Sequence, residues 1–318
     1  MLNTREKSGS IAEATEDPLE RAFERPDILT INGERVEVHD VAPEHPKTDI
    51  PTLFAPGWGI TSRMHKYSIL ALAEAGRRAI VANAPHGVEI SARTEASARA
   101  EDFPDAERRR IEAMLGTLEQ KGIDKVDAIG HSEGGLDLIL AATLYPEKFR
   151  NIVLVNPAGI IGKDNLLRLG IGFLKDSLTQ AWREATAAAT PEKRKRGGLV
   201  KGERHTFERH TFFRTLASQP LHTAREVVSM SDADILNMLK TLKEKGVGVS
   251  IVHTVNDKGF PMERVQQAVE AGMIDGFVSA FGTHNEIQIR PEKYTRAAEA
   301  CLTAMEKKHA GQKNDRKP

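Results

Sequence analysis

Residues 126–135, Val-Asp-Ala-Ile-Gly-His-Ser-Glu-Gly-Gly, restrict the fold more than any other part of the chain. An apolar run typical of a buried strand leads into a Gly-x-Ser-x-Gly pattern, and a helical pattern of apolar residues follows it. This order of strand, sharp turn and helix predicts a nucleophile elbow, in which Ser132 takes a strained backbone conformation and projects from the sheet. Gly130 and Gly134 fit so tight a turn, because a Cβ at either position would collide with the neighbouring strand or helix. An ordinary turn carrying a surface serine is the alternative interpretation.

Apolar runs that resemble buried strands alternate with helical patterns along most of the chain. The runs lie at residues 50–55, 78–83, 126–129, 151–156, 247–255 and 277–281. Two shorter alternating runs flank Asn32 and Gly33 and predict a hairpin at an antiparallel edge. Residues 105–121 predict a helix with one apolar stripe and charged residues on its other face. The alternation predicts an α/β fold with a mostly parallel central sheet, flanked by helices on both faces.

The rhythm of strands breaks between residues 160 and 245, where several helical patterns follow one another without a convincing strand. An insertion after the carboxyl end of a strand lies over the edge where such sheets bind ligands, so we predict a helical cap there. The α/β core is then expected at residues 28–159 and 246–307. Residues 1–27 are expected to form a polar leader, and residues 308–318 a polar tail.

Composition excludes several classes of function. The 318 residues carry 45 Lys and Arg against 45 Asp and Glu, and this balance argues against a nucleic-acid partner. The single cysteine, Cys301, excludes an internal disulfide and favours a reducing, cytoplasmic location. The first 20 residues lack an apolar signal segment, and no stretch has the length and apolarity of a membrane span. No dinucleotide-binding glycine pattern, P-loop or His-x-x-x-His pair occurs, so we expect neither cofactor nor metal.

A glycine-rich loop, Pro56-Gly57-Trp58-Gly59, follows the strand at residues 50–55. At the carboxyl end of an inner strand such a loop lets a backbone N–H approach a substrate oxygen. We therefore predict that the backbone N–H groups of Trp58 and Glu133 form an oxyanion hole, with Gly57 lining the substrate site. The alternative is a tight turn with a core tryptophan.

Three polar residues, Ser132, Asp257 and His284, lie at the carboxyl ends of three predicted strands. These ends share one edge of a parallel sheet, so the three side chains can converge. A serine hydroxyl needs a base to take its proton, a neutral imidazole can be that base, and a carboxylate fixes the imidazole tautomer. The alternatives are a turn aspartate at Asp257 and a structural loop histidine at His284.

Other residues could take parts of these roles. Asp232 and Asp234 are the fallback acids, and His86 is a weaker candidate for the base. His253 lies in the middle of a strand and is expected to be a packed core residue. We expect neither Asp232 nor His86 to displace the three residues above.

Two features of the cap could contact a substrate or a partner. Trp182 lies on an apolar stripe and Phe212 follows a basic run, so both are candidate substrate-binding residues, although packing of the cap on the core is the simpler interpretation. The basic run, Lys193-Arg194-Lys195-Arg196, is either a solvated loop or a weak contact for an anionic substrate or membrane surface. No pattern indicates an oligomeric state.

With Gly130-His131-Ser132-Glu133-Gly134 as elbow, the chain resembles an α/β-hydrolase-fold serine hydrolase with a helical cap. The resemblance spans residues 28–307 and implies that Ser132 is the nucleophile, His284 the base and Asp257 the residue that orients it. Relatives that hydrolyse epoxides or haloalkanes have aspartate at the elbow, so the resemblance implies acyl chemistry instead. Two departures stand out: Asn83 replaces an aspartate common in the family, and Pro56 replaces the histidine usual before the oxyanion glycine.

The resulting hypothesis is a cofactor-free hydrolase that cleaves an ester or related acyl bond of a small organic substrate through an acyl-enzyme. Acyl transfer, amide cleavage and carbon-carbon bond hydrolysis use a similar set of residues. A ligand-binding protein that keeps the fold without catalysis is the alternative from another class.

Overall fold

The computed structural model describes residues 17–83, 105–160 and 234–314, together with the single residues Gly172, Lys175, Leu221, Glu226 and Val228. The strands, in chain order, are β1 (Asp27–Ile31), β2 (Glu34–Val41), β3 (Thr52–Ala55), β4 (Ala79–Asn83), β5 (Val126–His131), β6 (Phe149–Val155), β7 (Gly248–Thr254) and β8 (Gly276–Ala280). The α-helices of these ranges are α1 (Pro18–Phe23), α2 (Lys66–Glu74), α3 (Asp105–Gln120), α4 (Glu133–Leu144), α5 (Leu236–Glu244), α6 (Met262–Glu270), α7 (Glu286–Ile289) and α8 (Pro291–Asn314). Short 3-10 helices lie at Ser62–His65 and Pro146–Lys148.

Within the described residues the strands form one eight-stranded sheet in the order β1-β2-β4-β3-β5-β6-β7-β8. The pairs of β1 with β2 and of β2 with β4 are antiparallel, and every other pair is parallel. The carboxyl ends of β3 to β8 therefore lie at one edge of the sheet, which we call the upper edge. The predicted fold class, a mostly parallel sheet with helices around it, is confirmed.

The hairpin of β1 and β2 lies at the outer edge of the sheet, as the alternating runs predicted. Its turn residues, Asn32 and Gly33, have φ angles of 55° and 84°. Two successive positive φ angles belong to the turn type that matches the twist of paired strands, and asparagine and glycine adopt them most readily. This hairpin extends the parallel part of the sheet on the side of β4.

Part of the predicted N-terminal leader packs on this hairpin. Phe23, in α1, is buried, and its ring stacks on His39 with 4.2 Å between the ring centroids. The Nδ1–H of His39 donates to the Phe23 carbonyl over 2.7 Å. The described end of the leader is thus attached to the core by an apolar contact and a buried hydrogen bond.

The central strands are buried on both faces. Every residue of β5 and β7 is buried, as expected for inner strands of a sheet that is covered on both faces. Helix α5, which the sequence placed in the cap, packs on the same core, because Leu239 and Leu242 are fully buried in the cluster on one face of the sheet. After the insertion, the core therefore resumes before residue 246, the boundary that the sequence predicted.

The last helix, α8, extends to Asn314, whereas the sequence predicted a polar tail from residue 308. The extension has polar contacts with the sheet: His309 Nε2 lies 3.1 Å from Asn151 Oδ1. Lys308 Nζ donates to Asp275 Oδ1 over 2.6 Å. Polar side chains thus hold this turn to the core, and an apolar periodicity could not have indicated it.

A buried ionic network lies at the lower edge of the sheet, opposite Ser132. The Arg77 side chain is fully buried, with Nη1 3.3 Å from Asp127 Oδ2 and 3.0 Å from Glu306 Oε1. Arg150 also binds Asp127, with Nε 2.9 Å from Oδ1. Arg77 therefore joins the start of β5 to α8, and its loss would leave buried carboxylates short of a cation.

We predict that Arg77→Met lowers the free energy of unfolding by about 3 kcal/mol, as expected when one partner of a buried ion pair is removed. Arg296→Met is the matched control, because the Arg296 side chain is 81% exposed and pairs with Glu292 only at the surface. The control should unfold like the wild type in a urea titration. Equal losses in the two variants would contradict a stabilising role for the buried network.

Candidate active site

Ser132 lies between the end of β5 and the start of α4 with φ 55° and ψ −122°. A left-handed backbone at a residue other than glycine costs about 1–3 kcal/mol and persists only where its surroundings hold it. The Ser132 N–H donates to the Val155 carbonyl over 2.9 Å, and its own carbonyl accepts from Gly135 and Ala158. These bonds to β6, α4 and the loop after β6 fix the strained turn that the sequence predicted.

The two glycines of the elbow are required by contact. A Cβ on Gly130 would lie 2.6 Å from the Gly135 Cα, and one on Gly134 would overlap the Ala55 carbonyl. Real Cβ atoms do not approach other atoms so closely, so a larger residue at either position would push α4 away from β3 or β5. The close approach brings the first turn of α4 directly against the sheet.

The three residues predicted to converge do so. The His284 Nε2 atom lies 2.8 Å from Ser132 Oγ, and His284 Nδ1 lies 2.7 Å from Asp257 Oδ2. The other carboxylate oxygen of Asp257 accepts the Phe260 N–H over 2.8 Å. All three side chains are buried, with Ser132 4% exposed. The hydrogen-bonded chain allows a proton to move from Ser132 Oγ to His284 Nε2.

The fallback residues do not join this chain in the described part of the structure. Asp234 is exposed, and its carboxylate accepts the Leu236 N–H over 3.1 Å at the start of α5. His253 is buried, and its Nε2–H donates to the Phe260 carbonyl over 2.8 Å, which agrees with a packed core residue. Asp232 and His86 lie outside the described residues.

Asn156, at the end of β6, is a positioning residue that the sequence analysis missed. Its Nδ2 donates to the His284 carbonyl over 2.7 Å, and its Oδ1 accepts the Thr254 N–H over 2.9 Å. It also has a positive φ of 47°. The sequence feature that could have indicated this role is an asparagine directly after a buried strand, at the upper edge of the sheet. Asn156 ties the histidine loop to the end of β7.

His131, which precedes Ser132, supports the same loop. Its Nε2 lies 3.2 Å from the His284 carbonyl, close enough for the ring N–H to donate. Burial lowers the pKa of His131 far below its usual range, and the neighbouring His65 and His284 lower it further. His131 is therefore neutral, so it adds no positive charge beside His284.

The glycine-rich loop after β3 lies against Ser132. A Cβ on Gly57 would be only 3.0 Å from the Ser132 Cβ, so the loop backbone reaches the elbow. The contact of Gly57 with substrate stays a prediction. Asn83 holds the next turn, since its Oδ1 accepts the Ser62 N–H over 3.0 Å and its Nδ2 donates to Ser62 Oγ over 2.7 Å. The asparagine that replaces a common aspartate therefore has a structural role here.

A cluster of carboxylates surrounds Arg110 of α3, directly behind the elbow. The Arg110 guanidinium lies 2.7 Å from Glu133 Oε1, 2.7 Å from Asp137 Oδ2, 3.3 Å from Glu226 Oε1 and 4.0 Å from Glu107 Oε1. We call these five residues the Arg110 cluster. All four acidic residues are buried. The sequence predicted charged residues on the face of α3 opposite its apolar stripe, and in the structure some of these charges pair with one another inside the protein.

Four carboxylates share one cation in this cluster, and burial acts on each. Burial raises the pKa of Asp137 to about 7, although Arg110 partly offsets the rise. Burial also raises the pKa of Glu133 well above its usual range. Burial alone would lower the pKa of Arg110, but the surrounding carboxylates outweigh it and raise that pKa. The cluster therefore holds protons on some carboxyl groups near neutral pH and keeps Arg110 charged.

Most predicted cap residues with a proposed contact lie outside the described residues, namely Trp182, Phe212 and the basic run Lys193, Arg194, Lys195 and Arg196. Two described residues of this segment touch loops of the site. Gly172 is helical, and a Cβ there would overlap the Lys258 carbonyl next to Asp257. Glu226 is also helical and accepts a hydrogen bond from Trp58 Nε1 over 2.7 Å.

The described residues contain neither a membrane-spanning helix nor a metal-binding cluster. None of the described helices combines the length and the apolar character needed to cross a bilayer. In the same part of the chain, no group of three or more His, Cys, Asp or Glu residues is arranged to hold a metal ion.

Comparison with known proteins assigns the family. A model of the alpha/beta hydrolase family matches residues 52–287, a range that includes Ser132, Asp257 and His284. The chain therefore belongs to the alpha/beta hydrolase family. No curated protein matches the sequence.

Solved structures share the fold at low sequence identity. A bromoperoxidase from Bacillus anthracis is 18% identical with a TM-score of 0.58, over 88% of this chain and 100% of that one. An enol-lactonase from Burkholderia xenovorans LB400 is 16% identical with a TM-score of 0.59, over 87% and 100%. A thermophilic esterase from Thermogutta terrifontis is 16% identical with a TM-score of 0.57, over 88% and 99%. At such identities the similarity concerns the fold alone.

The raised pKa of Asp137 predicts a pH dependence of stability. The folded protein keeps a proton on Asp137 up to pH about 7, whereas the unfolded chain loses it near pH 4, so this stabilisation is present below about pH 4 and is lost as the pH rises towards 7. We predict that Asp137→Asn removes about 1–3 kcal/mol of the decline in unfolding free energy between pH 5 and pH 8.

The control for this prediction is Asp124→Asn, because Asp124 is exposed. Urea unfolding of the wild type and both variants at several pH values measures the effect. The control should keep the pH dependence of the wild type. A wild-type profile that Asp137→Asn leaves unchanged would show that Asp137 does not carry the proton.

Proposed function

We propose that the protein is a serine hydrolase that cleaves an ester or related acyl bond of a small organic substrate. The observation that supports this proposal is the continuous hydrogen-bonded chain from Asp257 through His284 to Ser132, with Ser132 on the strained elbow. A serine hydroxyl beside a basic imidazole that a carboxylate orients is the arrangement that activates serine for attack. Membership of the alpha/beta hydrolase family agrees with it.

In the first half of the reaction, His284 Nε2 takes the proton of Ser132 Oγ as the oxygen attacks the substrate carbonyl carbon. The carbonyl electrons move to the oxygen, and the backbone N–H groups of Trp58 and Glu133 are proposed to stabilise this oxyanion. Asp257 holds the Nδ1–H of His284 and stabilises the imidazolium. The intermediate then collapses, His284 gives its proton to the leaving oxygen, and an acyl group remains on Ser132.

In the second half, water replaces the leaving group. His284 Nε2 takes a proton from water, the hydroxide attacks the acyl carbon, and the same two N–H groups face the new oxyanion. Collapse breaks the bond to Ser132 Oγ, which recovers its proton from His284. A carboxylic acid leaves, and the enzyme returns to its first state without a cofactor.

Three further proposals concern the surroundings of the site. The segment 160–235 is proposed to cover the upper edge as a helical cap, with Trp182 and Phe212 towards the substrate; the contacts of Gly172 and Glu226 with loops of the site support this position. The single cysteine, Cys301, is buried and cannot form a disulfide within the chain, which supports a location in the reducing cytoplasm. The basic run is proposed as a solvated loop with at most weak anionic contacts.

We predict that Ser132→Ala abolishes labelling by a fluorophosphonate probe and lowers turnover of p-nitrophenyl esters at least about ten-thousandfold, since the attacking oxygen is gone. Ser68→Ala is the matched control, because Ser68 is a fully buried serine in α2 outside the hydrogen-bonded chain. The control should label and turn over like the wild type. Folded wild-type protein that neither labels nor hydrolyses any ester of a graded chain-length series would contradict the proposal.

A further inference from the structure

Glu226 connects the insertion with the loop that follows β3. Its Oε2 atom accepts the indole N–H of Trp58 over 2.7 Å, across 168 residues of sequence. The Glu226 side chain is buried, with 2% of the residue exposed. The tryptophan is half-buried and the carboxylate is buried, and a buried carboxylate needs polar partners, so this hydrogen bond is costly to lose.

The other carboxylate oxygen of Glu226 faces the elbow through Arg110. Arg110 Nη1 lies 3.3 Å from Glu226 Oε1, and Arg110 Nη2 lies 2.7 Å from Glu133 Oε1. Arg110 Nε donates to Asp137 over 2.7 Å, one turn further along α4. One carboxylate thus has Trp58 on one side and, through Arg110, the first turn of α4 on the other.

Trp58 and Glu133 are the two residues whose backbone N–H groups are proposed as oxyanion donors. We propose that Glu226 is a positioning residue that holds these two donors at a fixed separation, and this inference rests on the proposed serine hydrolase function. We call the chain Trp58-Glu226-Arg110-Glu133 the oxyanion clamp. The insertion then contributes to the chemical step as well as to covering the site.

The loop around Trp58 needs such support for a physical reason. Trp58 stands between two glycines, and Gly59 has a positive φ of 62°, so the local chain has little intrinsic stiffness. Oxyanion donors are effective only about 2.7–3.1 Å from the developing charge, and a displacement of about 1 Å can cost about a hundredfold in rate. The first turn of α4 is held by the sheet, so the Trp58 loop is the donor whose position depends more on the clamp.

The clamp also limits the negative charge near the oxyanion. Four carboxylates behind the elbow would oppose an oxyanion if all were ionised and uncompensated. Arg110 compensates one, and burial raises the pKa of Asp137 to about 7 and the pKa of Glu133 well above its usual range, which shifts both groups towards the uncharged form. Arg110 is held by Glu226 on one side and by the two α4 carboxyl groups on the other.

The test compares variants that break the clamp at different points. Trp58→Phe removes only the indole N–H and keeps an aromatic ring. Glu226→Leu removes both carboxylate contacts, whereas Glu226→Gln keeps one carbonyl oxygen that can accept the Trp58 N–H. Thr117→Val is the control, because it removes one buried hydroxyl of α3, which donates to the Ala113 carbonyl over 2.7 Å, away from the clamp.

The readouts separate positioning from general stability. They are kcat and KM for a p-nitrophenyl ester, the inhibition constant of a trifluoromethyl ketone that forms an oxyanion-bearing adduct with serine, and the thermal unfolding midpoint. We expect Trp58→Phe and Glu226→Leu to lower kcat about tenfold to a hundredfold with KM changed less than about twofold. The inhibition constant should rise by the same factor as kcat falls, because both depend on oxyanion stabilisation. Glu226→Gln should recover only part of the lost rate, because its amide oxygen can accept the Trp58 N–H but its NH2 group cannot accept from Arg110. Thr117→Val should keep wild-type kcat.

The double variant Trp58→Phe with Glu226→Leu provides an independent check. Both changes break the same hydrogen bond. The kcat of the double variant should therefore lie no more than about twofold below the kcat of the less active single variant. Multiplied losses, losses confined to KM, or variants with the kcat of Thr117→Val would each overturn the clamp. If Glu226→Leu fails to fold, Trp58→Phe alone decides between these results. A wild-type protein without any turnover would instead contradict the serine hydrolase proposal itself, and this outcome is distinct from an active wild type with unaffected clamp variants.

Discussion

The left-handed backbone of Ser132 is stable only because three neighbouring elements hold it. The serine N–H donates to the end of β6, its carbonyl accepts from α4 and from the loop after β6, and two glycines let α4 approach the sheet. The parallel arrangement of the neighbouring strands serves the same site, because it places their carboxyl ends beside the elbow at the end of β5. Asp257 and His284 are then within hydrogen-bond distance of one another and of Ser132 without any long excursion of their loops.

Buried charge has a different use at each edge of the sheet. At the lower edge, Arg77 pairs with Asp127 and Glu306 and joins the start of β5 to the last helix. Behind the elbow, Arg110 is shared by more carboxylates than it can neutralise, and burial shifts the excess towards the protonated form. The first arrangement connects elements of the fold, whereas the second lies beside the proposed oxyanion site and can influence the energy of a charge that forms there.

The sequence predicted the fold class and the convergence of Ser132, Asp257 and His284, because a buried strand followed by a polar residue is a local pattern and a parallel sheet gathers such ends. Asn156 was missed because its role depends on the carbonyl of another loop. The contact between Trp58 and Glu226 joins distant segments. The periodicity of α3 separated its charged face from its apolar stripe but could not indicate that buried carboxylates surround Arg110. Charge pairing inside the protein has no periodic signature, and this explains most of what the sequence could not predict.

If Ser132 carries a covalent acyl intermediate, a burst measurement detects it most directly. Wild-type protein is mixed with an excess of a p-nitrophenyl ester on the millisecond timescale, and the quenched sample is analysed by intact-protein and peptide mass spectrometry. We expect an initial release of p-nitrophenol that does not exceed one equivalent per active site, with the acyl mass on the peptide that contains Ser132. An acyl group found on another residue during turnover would contradict the role of Ser132. So would turnover that is limited by deacylation but leaves Ser132 without an acyl group.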